Sequence, residues 1–462
     1  MSQSSFSSIG LKPELLTNLD SMGYTEMTPI QAKSLPQVLL GKDVVGQGKT
    51  GSGKTATFGL GLLQNLDVKK FRVQSLVLCP TRELADQVAK EIRKLARAIH
   101  NIKVLTLCGG TPMGPQIGSL EHGAHILVGT PGRILDHLER GRINLDHLNT
   151  LVLDEADRML DMGFQDALDA IIDQTPENRQ TLLFSATFPE SIEVISKRIL
   201  RSPTIVKVES THDTVSIRQH FYSVDSFEDR LEATRLLLMS EQPESTVIFC
   251  NTKRDVDEVA DELRYRGFSV IALHGDMEQR QRDQALVQFG NKSVSILVAT
   301  DVAARGLDVD NLDAVINFHL ARDPEVHVHR IGRTGRAGAK GCAHSFISEK
   351  ESYKIAQIEE YFDFEISPKA LPSSDVLDAP TFYAKMVTLQ IDGGKKQKVR
   401  PGDILGALTG DKGISSDHVG KINVFPMSAY VAVNTLSAKK AFKKLESGKL
   451  KGKQFRVRYV KN

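Results

Sequence analysis

Short apolar, β-branched runs recur along the chain and end in polar or small residues. Before Glu190 they are Ser75–Cys79, Val104–Leu107, Ile126–Val128, Leu151–Leu153 and Thr181–Phe184. After Arg218 they are Val247–Cys250, Val270–Leu273, Ile296–Val298, Val315–Ile316 and Ala343–Ile347. Between many of them apolar residues return at helical spacing, as over Glu83–Arg97 and Asp255–Arg266. Near-continuous apolar strands that alternate with helices predict a parallel sheet covered on both faces. The series occurs twice, which predicts two α/β domains in tandem. A polar stretch, Glu209-Ser210-Thr211-His212-Asp213-Thr214, follows Pro203 and reads as the join. The expected division is 1–207, a linker 208–217, 218–368, a second linker 369–384, and 385–462.

Beyond the second linker, rich in Pro, Ser and Asp, the pattern changes. Val387–Ile391, Lys421–Phe425, Tyr430–Val433 and Phe455–Val460 read as strands, and Ile404–Leu408 and Ala438–Leu445 as helices. The order β-α-β-β-α-β in roughly 75 residues is a split βαβ plan. The tail should therefore be a small α+β domain.

Composition bounds the class. The 462 residues are 40% hydrophobic and 25% charged, an ordinary globular balance. No run approaches the ~20 apolar residues of a membrane span. The start, Met1-Ser2-Gln3-Ser4-Ser5-Phe6, lacks the charged and apolar regions of a signal peptide, so a cytoplasmic protein with no membrane partner is expected. Cys79, Cys108, Cys250 and Cys342 stand far apart with no C-x-x-C pair, which predicts buried thiols and not a zinc site. The formal net charge of +2 hides an asymmetry. From Lys385 to Asn462 there are 17 Lys+Arg against 5 Asp+Glu, a net +12; the remainder, with 42 against 52, is −10. A basic tail on an acidic body calls for a polyanion partner.

The chemistry starts at Gly48-Lys49-Thr50-Gly51-Ser52-Gly53-Lys54-Thr55, which fits G-x-x-x-x-G-K-[ST]. Glycines let the backbone curl until N–H groups point at phosphate oxygens, as Gly51, Ser52 and Gly53 should; Lys54 reaches the β/γ-phosphates and the Thr55 hydroxyl holds Mg²⁺. Asp154-Glu155 ends a strand about 100 residues downstream. Asp154 is expected on the metal side, partly through water, with Glu155 as the base for the attacking water. Arginines are needed to neutralise the departing γ-phosphate. His329-Arg330-Ile331-Gly332-Arg333-Thr334-Gly335-Arg336 offers three, of which Arg333 and Arg336 are the expected catalytic pair. If they face the first domain, hydrolysis requires the two domains to close. His327 and His329 lack a third partner and point away from metal.

Asp154-Glu155-Ala156-Asp157 also resembles the name-giving motif of the DEAD-box RNA helicases, and further motifs follow in that family's order across residues 6–348. They are Gly23-Tyr24 to Thr28-Pro29-Ile30-Gln31 with Phe6 upstream, the phosphate loop, Pro80-Thr81-Arg82-Glu83-Leu84, Gly109-Gly110, Thr130-Pro131-Gly132-Arg133 and Ser185-Ala186-Thr187. In the second domain they are Val247–Thr252, Leu273-His274-Gly275-Asp276, the run Ala299-Thr300-Asp301 to Asp308, and the arginine segment. The whole chain, basic tail included, is similar to the bacterial DbpA group of that family. Gly48 stands where the family usually has Ala, and Tyr24 where Phe is commoner.

The resemblance implies two tandem RecA-like parallel-sheet domains and a C-terminal RRM-like α+β domain. It implies an ATP-dependent RNA helicase, an RNA-stimulated ATPase that unwinds short duplexes, with ATP and Mg²⁺ as cofactors. Phe6 would stack on adenine, Gln31 would read its edge and Asp308 would hold the ribose. Ser185 and Thr187 would couple ATP to RNA. Thr81, Arg82, Gly109, Gly110, Thr130, Arg133, His274, Gly275 and Thr300 would line the RNA track, gripping phosphates without reading bases. The tail lacks the usual stacking aromatics on its central strands: Val387–Ile391 has none, and Ser428–Val433 only Tyr430. Its RNA contacts are therefore expected from Lys395, Lys396, Lys398 and Arg400 and from the later lysines. The DbpA resemblance implies a hairpin of large-subunit (23S) ribosomal RNA as target and a pre-50S particle as partner, with no stable DNA partner. A DNA translocase on the same core, or an RNA chaperone with a vestigial ATPase, are the competing readings.

Overall fold

The computed structural model describes residues 5–48, 51–208, 217–304, 312–335 and 341–460. The chain divides into two compact units, Met1–His212 and Asp213–Asn462.

The first unit is built on a seven-stranded sheet of β1 (Val44–Gln47), β2 (Ser75–Leu78), β3 (Val104–Leu107), β4 (Ile126–Gly129), β5 (Thr150–Asp154), β6 (Gln180–Ser185) and β7 (Thr204–Lys207). The strands run in the order β3-β4-β2-β5-β6-β1-β7, and every pairing is parallel. Helices cover both faces, and two apolar clusters lie on either side of the sheet, one around Phe58, Val77 and Phe184 and one around Leu78, Leu151 and Leu183. Alternate residues of a strand feed opposite clusters, as the period of two requires. β1, absent from the apolar runs because it is short and interrupted by Gly46, sits near the sheet's edge between β6 and β7.

The second unit holds two sheets. Its parallel sheet comprises β8 (Ile217–Ser223), β9 (Thr246–Phe249), β10 (Val270–Leu273), β11 (Ile296–Ala299), β12 (Ala314–Asn317) and β13 (Gly341–Ile347), in the order β10-β11-β9-β12-β13-β8. The tail forms an antiparallel sheet of β14 (Met386–Ile391), β15 (Val419–Val424), β16 (Ala429–Asn434) and β17 (Val457–Tyr459), ordered β15-β16-β14-β17. Helices Pro401–Thr409 and Ala438–Ser447 pack on one face of it over Leu389, Ile391, Val431 and Val433. The split βαβ order expected from the sequence is the order observed.

One expectation needs correction. Segment 369–384 is not a free linker. Leu371, Val376, Leu377 and Phe382 pack against the core of the parallel sheet, Phe382 meets Phe268 edge to face at 5.9 Å, and Thr381 Oγ1 donates to the Gly267 carbonyl at 3.2 Å. Its Pro and Ser residues hide four spaced apolar anchors, and burial of those anchors outweighs the local turn signals. The other expected linker, 208–217, falls almost wholly outside the described residues.

The tail sheet also touches its neighbour. Thr388, on the face of β14 opposite the helices, is buried; its Oγ1 lies 2.7 Å from Ser293 Oγ and accepts from Asn291 Nδ2 at 3.2 Å. Glu244 pairs with both Lys292 (3.1 Å) and Lys385 (2.7 Å). The sheet face that carries bases in a standard RNA-recognition fold is thus partly covered by protein here.

Candidate nucleotide and RNA site

In the first unit every predicted site segment except Phe6 and Gln31, which precede β1 on helical elements, leaves the carboxyl end of a strand, where open α/β sheets bind ligands. The strand order sorts them. β5, β6 and β1 are neighbours and bring Asp154, Ser185 and the phosphate loop side by side. Gln47 is in register with Ser185, Asp154 with Phe184, and the Gly48 amide donates to the Ser185 carbonyl at 3.1 Å. β3, β4 and β2 form the other half of the sheet and bring Gly109-Gly110, Thr130 and Thr81 together.

The loop then opens the helix Lys54–Asn65. Gly51 and Gly53 take φ of +80° and +99°, conformations a side chain rarely tolerates; a Cβ on Gly53 would lie 2.5 Å from Gln31 Nε2. Lys54 is buried and donates to the Gly48 carbonyl at 2.5 Å, while Thr55 is half-buried one residue on. Lys49 and Thr50 lie outside the described residues. At Gly48 a methyl group would meet Ser52 Oγ at 3.2 Å, a flexible neighbour, so Gly and Ala both fit there.

Asp154 is 3% exposed and accepts from the Glu155 amide at 3.1 Å. Burial pushes its carboxyl up to about 7; the Lys54 ammonium opposes the shift and the Glu155 carboxylate adds to it. Added positive charge beside such a carboxylate would favour its charged form. Ser52 Oγ and Ser185 Oγ are buried without hydrogen-bond partners among the described residues. An unsatisfied pair of hydroxyls, a cramped carboxylate and a buried lysine together suit a hydrated divalent cation with a phosphate chain. Glu155 stands in left-handed backbone, φ 50° and ψ 52°, an arrangement that costs a non-glycine residue energy.

Gln31 is 2% exposed and turned to the loop: its Oε1 accepts from the Thr28 amide at 2.8 Å and its Nε2 donates to the Gly53 carbonyl at 3.3 Å. Thr28 Oγ1 donates to the Ser52 carbonyl at 2.7 Å. Phe6 is 3% exposed and meets Tyr24 edge to face at 6.4 Å. Thr187 is tied to Asp157, whose Oδ2 accepts from the Thr187 amide (3.1 Å) and hydroxyl (2.8 Å). Sequence reasoning gave neither Thr28 nor Asp157 a role in the site. Thr28 enters there only as a member of the motif that ends at Gln31, and Asp157 as the last member of the DEAD tetrad.

On the other half of the sheet, Thr81 caps the helix Arg82–Leu95 by accepting from the Leu84 amide, and Arg82 donates to the Gly110 carbonyl at 3.5 Å. Thr130 precedes the helix Pro131–Glu139, and Arg133 donates to the Thr111 carbonyl at 3.1 Å. A Cβ on Gly109 would meet nothing within 4 Å, which leaves an open strip beside the two arginines.

In the second unit, His274 and the exposed Gly275 follow β10, and Thr300 follows the adjacent β11. His274 Nε2 lies 2.9 Å from Asp257 Oδ1. Arg330 is 1% exposed and fully engaged: Nε and Nη2 donate to Asp301 (2.6 and 2.8 Å), Nη2 also to Asn251 (2.9 Å), and Nη1 to the His319 carbonyl (2.6 Å). Its guanidinium also lies 5.1 Å from the centre of the Phe249 ring. Arg330 is therefore a scaffold residue. The half-buried Arg333 accepts the Leu312 amide on its carbonyl at 3.0 Å. Arg336 and Asp308 lie outside the described residues. His327 is buried on Gln219 at 3.0 Å, and burial, then Arg330, hold its imidazole down to about 3.

In the tail, Lys395, Lys396, Lys398 and Arg400 line one open cavity of about 750 Å³ together with Lys451 and Lys453. Two stretches more than fifty residues apart are joined there because the Leu450 and Lys453 backbones pair in a tight turn beside the helix Pro401–Thr409. Six cations around one hollow form a strong anion site.

Comparison with known proteins agrees with this geometry. The DEAD/DEAH box helicase family model matches residues 28–195, the helicase conserved C-terminal domain 229–338 and the DbpA RNA binding domain 388–459. The chain is 55% identical to the ATP-dependent RNA helicase DbpA of Escherichia coli strain K12, over 98% of both chains. It is 38% identical to the Bacillus subtilis strain 168 protein of that description, over 98% of this chain and 99% of the other. Among solved structures, Saccharomyces cerevisiae Dbp5 bound to RNA and ADP BeF3 is similar with a TM-score of 0.71 and 31% identity, covering 80% of this chain and 96% of that one.

Proposed function

Because the chain belongs to the DEAD-box ATP-dependent RNA helicases, in the group that carries a DbpA RNA-binding domain, we propose that it unwinds short RNA duplexes during assembly of the large ribosomal subunit. Its tail is proposed to anchor it to a 23S ribosomal RNA hairpin within a pre-50S particle in the cytoplasm. The observation that carries this reading is the single hollow ringed by Lys395, Lys396, Lys398, Arg400, Lys451 and Lys453 on a domain whose stacking face is partly covered. A fold that has given up sheet stacking but concentrated six cations grips structured RNA by its phosphates.

In the first unit, Lys54 and the backbone of Gly51, Ser52 and Gly53 bind the β- and γ-phosphates. Thr55 and Asp154 hold the metal, the latter partly through water; Mg²⁺ when bound neutralises charge on those phosphates. Glu155 orients the attacking water and takes its proton, and Arg333 and Arg336 offset the charge of the departing γ-phosphate. Gln31 exchanges its bonds to Thr28 and Gly53 for the adenine edge, beside Phe6, and Asp308 holds the ribose. Thr187, through Asp157, ties the RNA-facing side of the sheet to the DEAD tetrad. Thr81, Arg82, Gly109, Gly110, Thr130, Arg133, His274, Gly275 and Thr300 hold one strand by its backbone.

Phosphate release tests this. A large-subunit ribosomal RNA fragment should stimulate hydrolysis well above a shuffled RNA or a DNA of matched sequence. Equal stimulation by all three would remove the ribosomal assignment.

A further inference from the structure

β13 begins Gly341-Cys342-Ala343-His344, and a strand's period of two puts Cys342 and His344 on one face. Against that face lies the end of the helix Phe227–Glu241. One atom each from Glu241 (a carboxylate oxygen), Cys342 (Sγ) and His344 (an imidazole nitrogen) lie within 4.8 Å of one another. Glu241 and His344 are 103 residues apart in sequence, yet Glu241 Oε2 is 3.1 Å from His344 Nε2. Cys342 and His344 are buried, while Glu241 reaches solvent. A cavity of about 470 Å³, whose walls include Cys342, Glu241, Arg218 and Asp313, leads from outside to the thiol.

The surroundings suit a ligand set. Tyr222 Oη lies 3.2 Å from His344 Nδ1, the outer partner that fixes an imidazole bound through its other nitrogen. His220, in register with His344 on β8, stacks on it at 5.7 Å, and its Nδ1 is buried without a hydrogen-bond partner among the described residues. The cluster thus carries more ring nitrogen than its hydrogen bonds use. None of these residues serves the nucleotide or the RNA track.

We propose that Glu241, Cys342 and His344 bind a thiophilic divalent cation, zinc by preference, with a water from the cavity as fourth ligand. Thiolate, imidazole and carboxylate are the donors that tetrahedral zinc takes, and this mixture selects it over Mg²⁺. Binding displaces the thiol proton and any proton held between His344 and Glu241, both released to buffer. The cation would pin the end of a helix to the start of a strand, a clamp and not a catalyst.

The test uses the full chain, stripped with a chelator, dialysed and titrated with Zn²⁺ against a chromophoric chelator, then with Co²⁺. One equivalent of Zn²⁺ should bind, and the Co²⁺ form should show a sulfur charge-transfer band and tetrahedral d–d absorption. Cys342→Ser should abolish that band, Glu241→Gln, which removes a direct ligand, should weaken Zn²⁺ binding by at least the roughly 10–100-fold that losing an outer partner costs, and Cys250→Ser should change neither. If Cys342→Ser does not fold, Glu241→Gln with the thermal midpoint decides: Zn²⁺, but not Mg²⁺, should raise the midpoint of the parent and fail to do so in the variant. Binding by Cys342→Ser equal to the parent's, octahedral Co²⁺ alone, or a midpoint indifferent to Zn²⁺ would overturn the site.

Discussion

Each α/β unit buries a basic group beside a carboxylate near the carboxyl ends of its strands, and the two are treated in opposite ways. In the second unit Arg330 spends its donors on Asp301, Asn251 and the His319 carbonyl, and nothing about the group is left unfinished. In the first, Lys54 is held on a carbonyl, Asp154 carries a carboxyl driven up to about 7, and the hydroxyls of Ser52 and Ser185 have no partner among the described residues. Buried charge with every bond made is scaffold; buried charge with bonds missing is a socket for something else. The difference separates two arginine-and-lysine-rich motifs that look equally catalytic in sequence.

The sharpest way to break this comparison is to remove one group from each side. Glu155→Gln, which keeps shape but not basicity, should cut ATP turnover by roughly 10²–10⁴-fold and leave the urea midpoint and tail binding to RNA in place. Turnover at the parent rate would dismiss Glu155 as the base. Arg330→Ala should do the reverse, costing about 2–5 kcal/mol of stability because it empties a buried site and strips bonds from Asn251 and the His319 carbonyl as well as from half-buried Asp301; chemical denaturation followed by circular dichroism measures it. A cost below about 1 kcal/mol, the range of an exposed ion pair, would put Arg330 back among candidate catalytic groups.

The tail supplies a third probe. With Lys395, Lys396, Lys398 and Arg400 changed to Gln, the slope of log affinity against log salt should fall by about 0.7–0.9 for each phosphate no longer neutralised, read by fluorescence anisotropy on a hairpin. An unchanged slope would move the RNA site elsewhere. A smaller effect is expected from Asp154→Asn in the ligand-free chain. The folded carboxyl titrates near 7 and the unfolded one near 3.9, so the native state holds the proton longer and stability falls as pH rises from about 4 to 7. The Asn variant should lose that decline and gain roughly 1 kcal/mol at pH 7–8, while losing turnover. Smallest of all, Thr388→Val should cost about 0.5–1.5 kcal/mol, seen as earlier loosening of the tail in hydrogen exchange.

Much of this was readable from residues. Ten of the thirteen strands in the two parallel sheets lie on the apolar runs, all but β1, β7 and β8, and the tail's pattern predicts its order correctly. Local rules carry such features because both depend on neighbours in sequence. Four things lay beyond them. The apolar anchors of 369–384 are diluted among turn formers, and only the groove they fill reveals them. Arg330 stands outside the expected catalytic pair, but its scaffold role shows only once Asp301 and Asn251 arrive from beyond the ends of two other strands. Cys342-Ala343-His344 is an ordinary strand start until Glu241 closes on it. Left-handed Glu155 is likewise invisible, since nothing in an acidic pair predicts a positive φ.

The seat of Thr388 on Ser293 and Asn291, braced by Glu244 between Lys292 and Lys385, turns the tail from a leash into a bracket. An RNA stem gripped at Lys395 to Arg400 is then carried at a set reach from His274 and Thr300. If those residues hold RNA as proposed, duplexes would be chosen by span, those accepted being the ones that the RNA's own folding delivers at that distance from the grip.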